Sequence, residues 1–168
     1  ADAQSAAFIR RGYPLSVFTQ AVYALAERNI PVVVHIILGL PGESRETVLR
    51  TIDYLNRLPI QGVKLQLLHV LSDSDLADLY RAGEYTPLEK EEYLTLVGDC
   101  IAHLRADIVL HRLTGDGDKN TLLAPLWSLR KRDVLNHLHR YLKENHIRQG
   151  MSCKIDLSVI YNKPKDVL

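Results

Sequence analysis

The stretch VVVHIILGLPGES, residues 32 to 44, sets Gly39, Leu40, Pro41 and Gly42 at the end of an apolar run, with Glu43 and Ser44 following. Glycines in such a turn let a ligand lie against backbone amides and carbonyls, because no side chain holds it away. The Lys-Ser/Thr of a phosphate loop does not follow, and the G-x-G-x-x-G spacing of a dinucleotide site is not met. What the residues offer is a strand end against which a planar, uncharged group could lie, with Glu43 or Ser44 capping the next helix. The same residues also read as a tight strand-to-helix turn.

Three histidines, His35, His69 and His111, fall one on each of three strand-like segments. Imidazole is a common metal ligand, but three ligands must meet at one level. In a regular strand His35 lies roughly 13 Å below the turn. Interior or substrate-facing roles are therefore expected for these rings rather than a metal site. Lys64 and Gln66 share one face of their strand, as do Arg112 and Thr114. Polar residues on parallel strands suit a wet barrel interior, or an edge strand with one face in water. Arg10 and Arg11 precede Gly12, where guanidinium forks could hold a carboxylate or phosphate. The two cysteines, Cys100 and Cys153, form no CxxC pair, so neither a disulfide framework nor a cysteine metal site is indicated.

The elements that must position these residues alternate. Residues 14–28 have helical spacing, with Val17, Ala21 and Leu25 on one stripe and Phe18 and Val22 beside it. The β-branched run IPVVVHIILG reads as a strand buried on both faces, as parallel strands are. A helix is expected over 44–58, a strand over 61–71, a short helix near 76–81 and a longer helix over 87–104. A strand over 107–113 and a helix over 129–145 with a basic outer face complete the order. The tail, residues 151–168, alternates like an added strand over 154–161. Helix and strand in this order argue an α/β fold, parallel strands with helices outside, whose ligands sit at the carboxyl ends of the strands.

At 168 residues and 46% hydrophobic, the chain can build a core as one domain. A formal charge of +1 gives no general field for nucleic acid, and any partner must be read from local sites. Apolar runs are far shorter than the roughly 20 residues of a membrane span, so no membrane partner and a cytoplasmic location are expected.

The RRGY box, GLPGE, GVKLQLLHVL, HRLTGDG and APLWS together resemble the carboxyl-terminal part of radical S-adenosylmethionine (SAM) iron-sulfur oxidoreductases. The branch is the one related to the Elongator catalytic subunit and to oxygen-independent coproporphyrinogen oxidase. The resemblance covers about residues 8–150, so residues 1–150 are read as the barrel part with its C-terminal extension, and it leaves the tail 151–168 unplaced. It implies the C-terminal portion of a partial (β/α)6 TIM-like barrel, with SAM across the strand ends and a 4Fe-4S cluster that cleaves it to a 5'-deoxyadenosyl radical. It further implies cofactor-binding roles for Gly39, Leu40, Pro41, Gly42 and Glu43 beside the adenine, for Arg11 toward the methionyl carboxylate, and for His69 and Leu71 near the adenine edge. His35, Lys64, Gln66, His111, Arg112 and Asp116 fall on the substrate side. No catalytic residue is assigned.

Two departures from the pattern have consequences. Tyr13 stands where the box usually has histidine, and the C-x3-C-x2-C cluster box has no counterpart here. Three thiolates are needed to hold the cluster and leave one iron open. The chain alone is thus expected to bind neither cluster nor SAM and to lack catalysis, its partner being the N-terminal half of a barrel. An open half barrel exposes a strand edge and an apolar inner face, which invites self-association. The substrate, small molecule or RNA, is left open. Two other classes fit the residues: a stand-alone nucleotide- or phosphometabolite-binding module without catalysis, and an RNA-contacting domain using the last helix.

Overall fold

The computed structural model describes residues 1–155. A short helix α1 (Ala3–Phe8) leads to α2 (Leu15–Glu27), then β1 (Val33–Leu38), α3 (Arg45–Leu55) and β2 (Gly62–Leu67). A two-residue strand β3 (Val70–Leu71), α4 (Asp75–Arg81), α5 (Lys90–His103) and β4 (Val109–Arg112) follow. Last come β5 (Leu122–Ala124), a 3-10 turn (Leu126–Leu129) and α6 (Lys131–Glu144). Strands β1, β2 and β4 form a parallel sheet in that order, while β3 and β5 form a separate antiparallel pair.

One face of the parallel sheet is closed. Val34, Ile36 and Leu38 of β1 alternate inward with Val63, Leu65 and Leu67 of β2, and all six are buried in the main core. Helix α3 covers this face with Val48, Ile52 and Leu55, and α5 with Tyr93, Val97 and Ile101. Val134 and Leu138 seat α6 in the same core. Each fully buried aliphatic side chain here contributes roughly 1.5–3 kcal/mol. Ser44 caps α3 by accepting a hydrogen bond from the Thr47 amide at 3.3 Å.

Several expectations need adjustment. β1 is buried on one face only, because Val33, His35 and Ile37 alternate outward onto the open face. The expected strand over 61–71 breaks after Leu67, and Val70–Leu71 turn away to pair with residues 122–124. The third strand is shorter than 107–113. On α2 the packed side is Phe18 and Val22, whereas Val17 and Leu25 are 46% and 37% exposed. Adjacent apolar stripes overlap on that helix, and spacing alone does not choose between them. The strand expected at 154–161 falls outside the described residues except for Lys154 and Ile155, which are not in a strand. Among the described residues no helix is long and apolar enough to cross a membrane.

Candidate functional site

The carboxyl ends of β1, β2 and β4 meet at one rim. The Leu68 amide donates to the Leu38 carbonyl at 2.9 Å, joining the first two strand ends. Gly39 opens the turn with φ of +92°, a conformation that disfavours any side chain. Its carbonyl accepts a hydrogen bond from the Tyr85 hydroxyl at 2.7 Å, and a Cβ there would lie 3.1 Å from Leu88. Burial pushes the Tyr85 phenol up to about 12, so it remains a donor. Tyr85 and Leu88 thus clasp the turn from the segment before α5, a role the sequence reading had not assigned.

The third strand end folds over His69. A Cβ on Gly115 would lie 2.7 Å from the His69 ring, and one on Gly117 would lie 3.5 Å from it. The glycines of TGDG therefore serve close approach to imidazole. The His69 Nε2 is buried and has no hydrogen-bond partner, an uncommon condition for a polar atom. Burial lowers the His69 pKa, and the Asp116 charge pulls the other way without overcoming it. Asp116 itself is held by the Lys131 ammonium at 2.7 and 2.8 Å, which keeps its carboxyl below the usual range. Arg112 approaches the same carboxylate at 3.8 Å.

The lowered His69 pKa has a sign in stability. A histidine harder to protonate when folded supports the fold above its ordinary value of 6.5, and that support is lost as pH falls toward the folded value. Unfolding in urea at pH 7.5 and 5.5 is expected to show a smaller acid-induced loss in His69→Phe than in the parent chain. Equal losses would mean that the ring is already hydrated.

Arg11, Leu40, Glu43 and His35 line a cavity of about 230 Å³ between α1, α2, α3 and the free edge of β1. Arg11 donates from Nε to the Tyr13 carbonyl at 3.1 Å and lies 5.3 Å from the centre of the Tyr13 ring. Tyr13 thus positions Arg11. Pro41 and Gly42 complete the turn above, whereas Leu71 lies in the small antiparallel sheet, paired with Leu122. His35, Lys64, Gln66 and His111 lie farther down on the open face of the sheet.

The donor set does not suit an iron-sulfur cluster. Cys100 is buried, its thiol pushed up to about 12, and Cys153 is the other cysteine. Among the described residues no group of three or more His, Cys, Asp or Glu could hold a metal ion. What the rim does carry is the unpaired His69 nitrogen and a bare glycine turn at adjacent strand ends.

Residues 60–144 match the Radical_SAM C-terminal domain family. The uncharacterized protein YtqA of Bacillus subtilis (strain 168) is 31% identical over 147 residues, 88% of this chain and 46% of that protein. Protein YhcC of Escherichia coli (strain K12) is 31% identical over 140 residues, 83% of this chain and 45% of its own length. The uncharacterized protein MJ0486 of Methanocaldococcus jannaschii is 33% identical over 143 residues, 84% of this chain and 44% of its length. The chain therefore spans under half the length of these relatives. A solved structure of archaeal Methanocaldococcus infernus Elp3, with an N-terminal deletion, superposes with a TM-score of 0.75 at 16% identity. The match covers 88% of this chain and 35% of that one, a likeness of fold.

Proposed function

The chain belongs to the Radical_SAM C-terminal domain family, and from that premise we propose that it supplies part of the SAM pocket and part of the substrate cavity of a radical SAM enzyme. The whole protein would cleave SAM reductively and abstract a hydrogen atom from its substrate. The described residues do not fit the cluster, so on this reading the reducing centre would lie in the rest of that protein and this chain would bind and orient. The Gly39–Glu43 turn would receive the adenine, Arg11 the methionyl carboxylate, and His69 the adenine edge through its unpaired Nε2. Leu71, expected at the adenine edge, is a residue of the small antiparallel sheet and pairs with Leu122.

The observation that carries this reading is the buried, partnerless His69 Nε2 beside the glycine turn at adjacent strand ends. An unsatisfied polar atom costs about 1–3 kcal/mol, which a ligand group can recover. The test is binding of S-adenosylhomocysteine to the whole protein that contains this chain, followed by calorimetry. His69→Phe is expected to weaken binding about tenfold, and His69→Gln to restore part of it. Unchanged binding in His69→Phe would remove His69 from the pocket. Binding of free phosphate compounds with no response to S-adenosylhomocysteine would favour the binding-module alternative.

A further inference from the structure

The open face of the parallel sheet is layered. Val33, Gly62 and Val109 stand side by side at its amino-terminal end, Ile37 pairs with Gln66 near the rim, and between them His35 is paired with Lys64 and Lys64 with Arg112. The register slips between Val63 and Lys64, so that β4 sets two residues, His111 and Arg112, against that level. His111 folds over Gly62, where a Cβ would lie 2.5 Å from its Nε2. Parallel strands are about 4.8 Å apart, which brings these four nitrogen-bearing side chains into one patch.

The strands themselves bring the patch no counter-charge, and the carboxylates beside it are Glu43 and Asp2, which line the cavity at the His35 edge, and Asp116 at the Arg112 end. No residue of β1, β2 or β4 is acidic. Lys64 is half-buried on the central strand and forms no ion pair among the described residues. Arg112 has Asp116 at 3.8 Å, but that carboxylate is already bonded twice to Lys131. Like charges on neighbouring strands repel, and a half-buried pair of them is screened less than a surface pair. An oxyanion between them would turn this repulsion into charge-assisted hydrogen bonds.

We infer that this middle layer is an oxyanion-binding site of the substrate cavity, where Lys64 and Arg112, flanked by His35 and His111, hold a phosphate or carboxylate group of the substrate. The inference rests on the reading that the open face is the substrate side. Gln66, one layer nearer the rim, would meet the neutral part of the same molecule.

The test follows the ring signals of His35 and His111 by NMR in the whole protein that contains this chain during titration with inorganic phosphate or with succinate. Chloride at equal ionic strength is the reference. Saturable shifts with one of the two anions are expected, weakened at least tenfold in Lys64→Gln and in Arg112→Gln and retained in Lys64→Arg. Saturation by phosphate alone assigns a phosphate group, and by succinate alone a carboxylate. Shifts no larger than those with chloride, or binding unaffected in Lys64→Gln, would overturn the site. Displacement of the anion by SAM would also overturn it, since the anion would then be the cofactor's own carboxylate. Loss of the SAM response at His69, with anion binding intact, would sink the cofactor reading and leave this site standing.

Discussion

Arg105→Ala is expected to destabilise the chain by about 3–5 kcal/mol, because several buried carbonyls lose their donor at about 1–3 kcal/mol each. The Arg105 side chain is only 1% exposed although it is a guanidinium. Its Nη1 donates to the carbonyls of Asn56 at 2.7 Å and Leu58 at 3.2 Å, its Nη2 to that of Ile60 at 3.3 Å, and its Nε to Asp107 at 3.0 Å. One side chain thus ties the exit of α3 and the entry to β2 to the loop between α5 and β4. Asn56, fully buried, answers by accepting from the Arg105 amide at 2.9 Å and donating to the His103 carbonyl at 2.7 Å. Gln149 closes the same end by donating to the carbonyls of Arg105 and Ile108, both at 2.7 Å.

Alanine would leave three buried carbonyls without this donor. Lysine retains the charge but cannot reproduce the planar fork, so Arg105→Lys is expected to recover less than half of the loss. Urea unfolding at pH 7 measures both. A loss under about 1 kcal/mol in Arg105→Ala would mean that water replaces the guanidinium and that the amino-terminal end of the sheet is open.

Gly39→Val is expected to cost about 2–4 kcal/mol and to weaken S-adenosylhomocysteine binding by the whole protein at least tenfold. Two separate effects add. The φ of +92° lies where a β-branched residue is strained by about 1–3 kcal/mol, and the new side chain would meet Leu88 at 3.1 and 3.2 Å. Relief requires the turn to move, which stretches the Tyr85 bond to the Gly39 carbonyl. Gly42→Ala is the control, since its φ is +76° but a Cβ there has nothing within 4 Å. It should lose only about 1 kcal/mol, from backbone strain alone. If urea unfolding finds Gly39→Val as mild as Gly42→Ala, the Leu88 contact gives way freely and the clasp has no structural weight.

The open face also bears on association. Val109 at 56% exposed and Ile37 at 39% sit on a sheet whose two edges have no strand partner among the described residues, the setting in which strands add to one another. Self-association of the isolated chain is the expectation for as long as that face is uncovered.

Legible in the residues alone were the order of helices and parallel strands, the positions of the three polar strand ends, a helix cap at Glu43 or Ser44 and the family motifs; the structure chose Ser44. Each of these is local: an apolar period, a glycine turn or a capping serine is written within a few residues of where it acts. The tertiary structure alone decided the rest. Which stripe of α2 packs depended on what lay beneath it, and Phe18 and Val22 met the core while Val17 and Leu25 did not. The 61–71 run was cut because residues 70–71 found partners at 122–124, a pairing across fifty residues that no local period announces. Arg105, a single arginine between a helix and a strand, reads as solvated until carbonyls from residues 56, 58 and 60 are seen to converge on it. The same holds for Lys131 on Asp116, and for Tyr85 on Gly39. Contacts between distant segments are set by packing of the whole chain, and the cost of closing such loops grows too slowly with length to confine them to near neighbours.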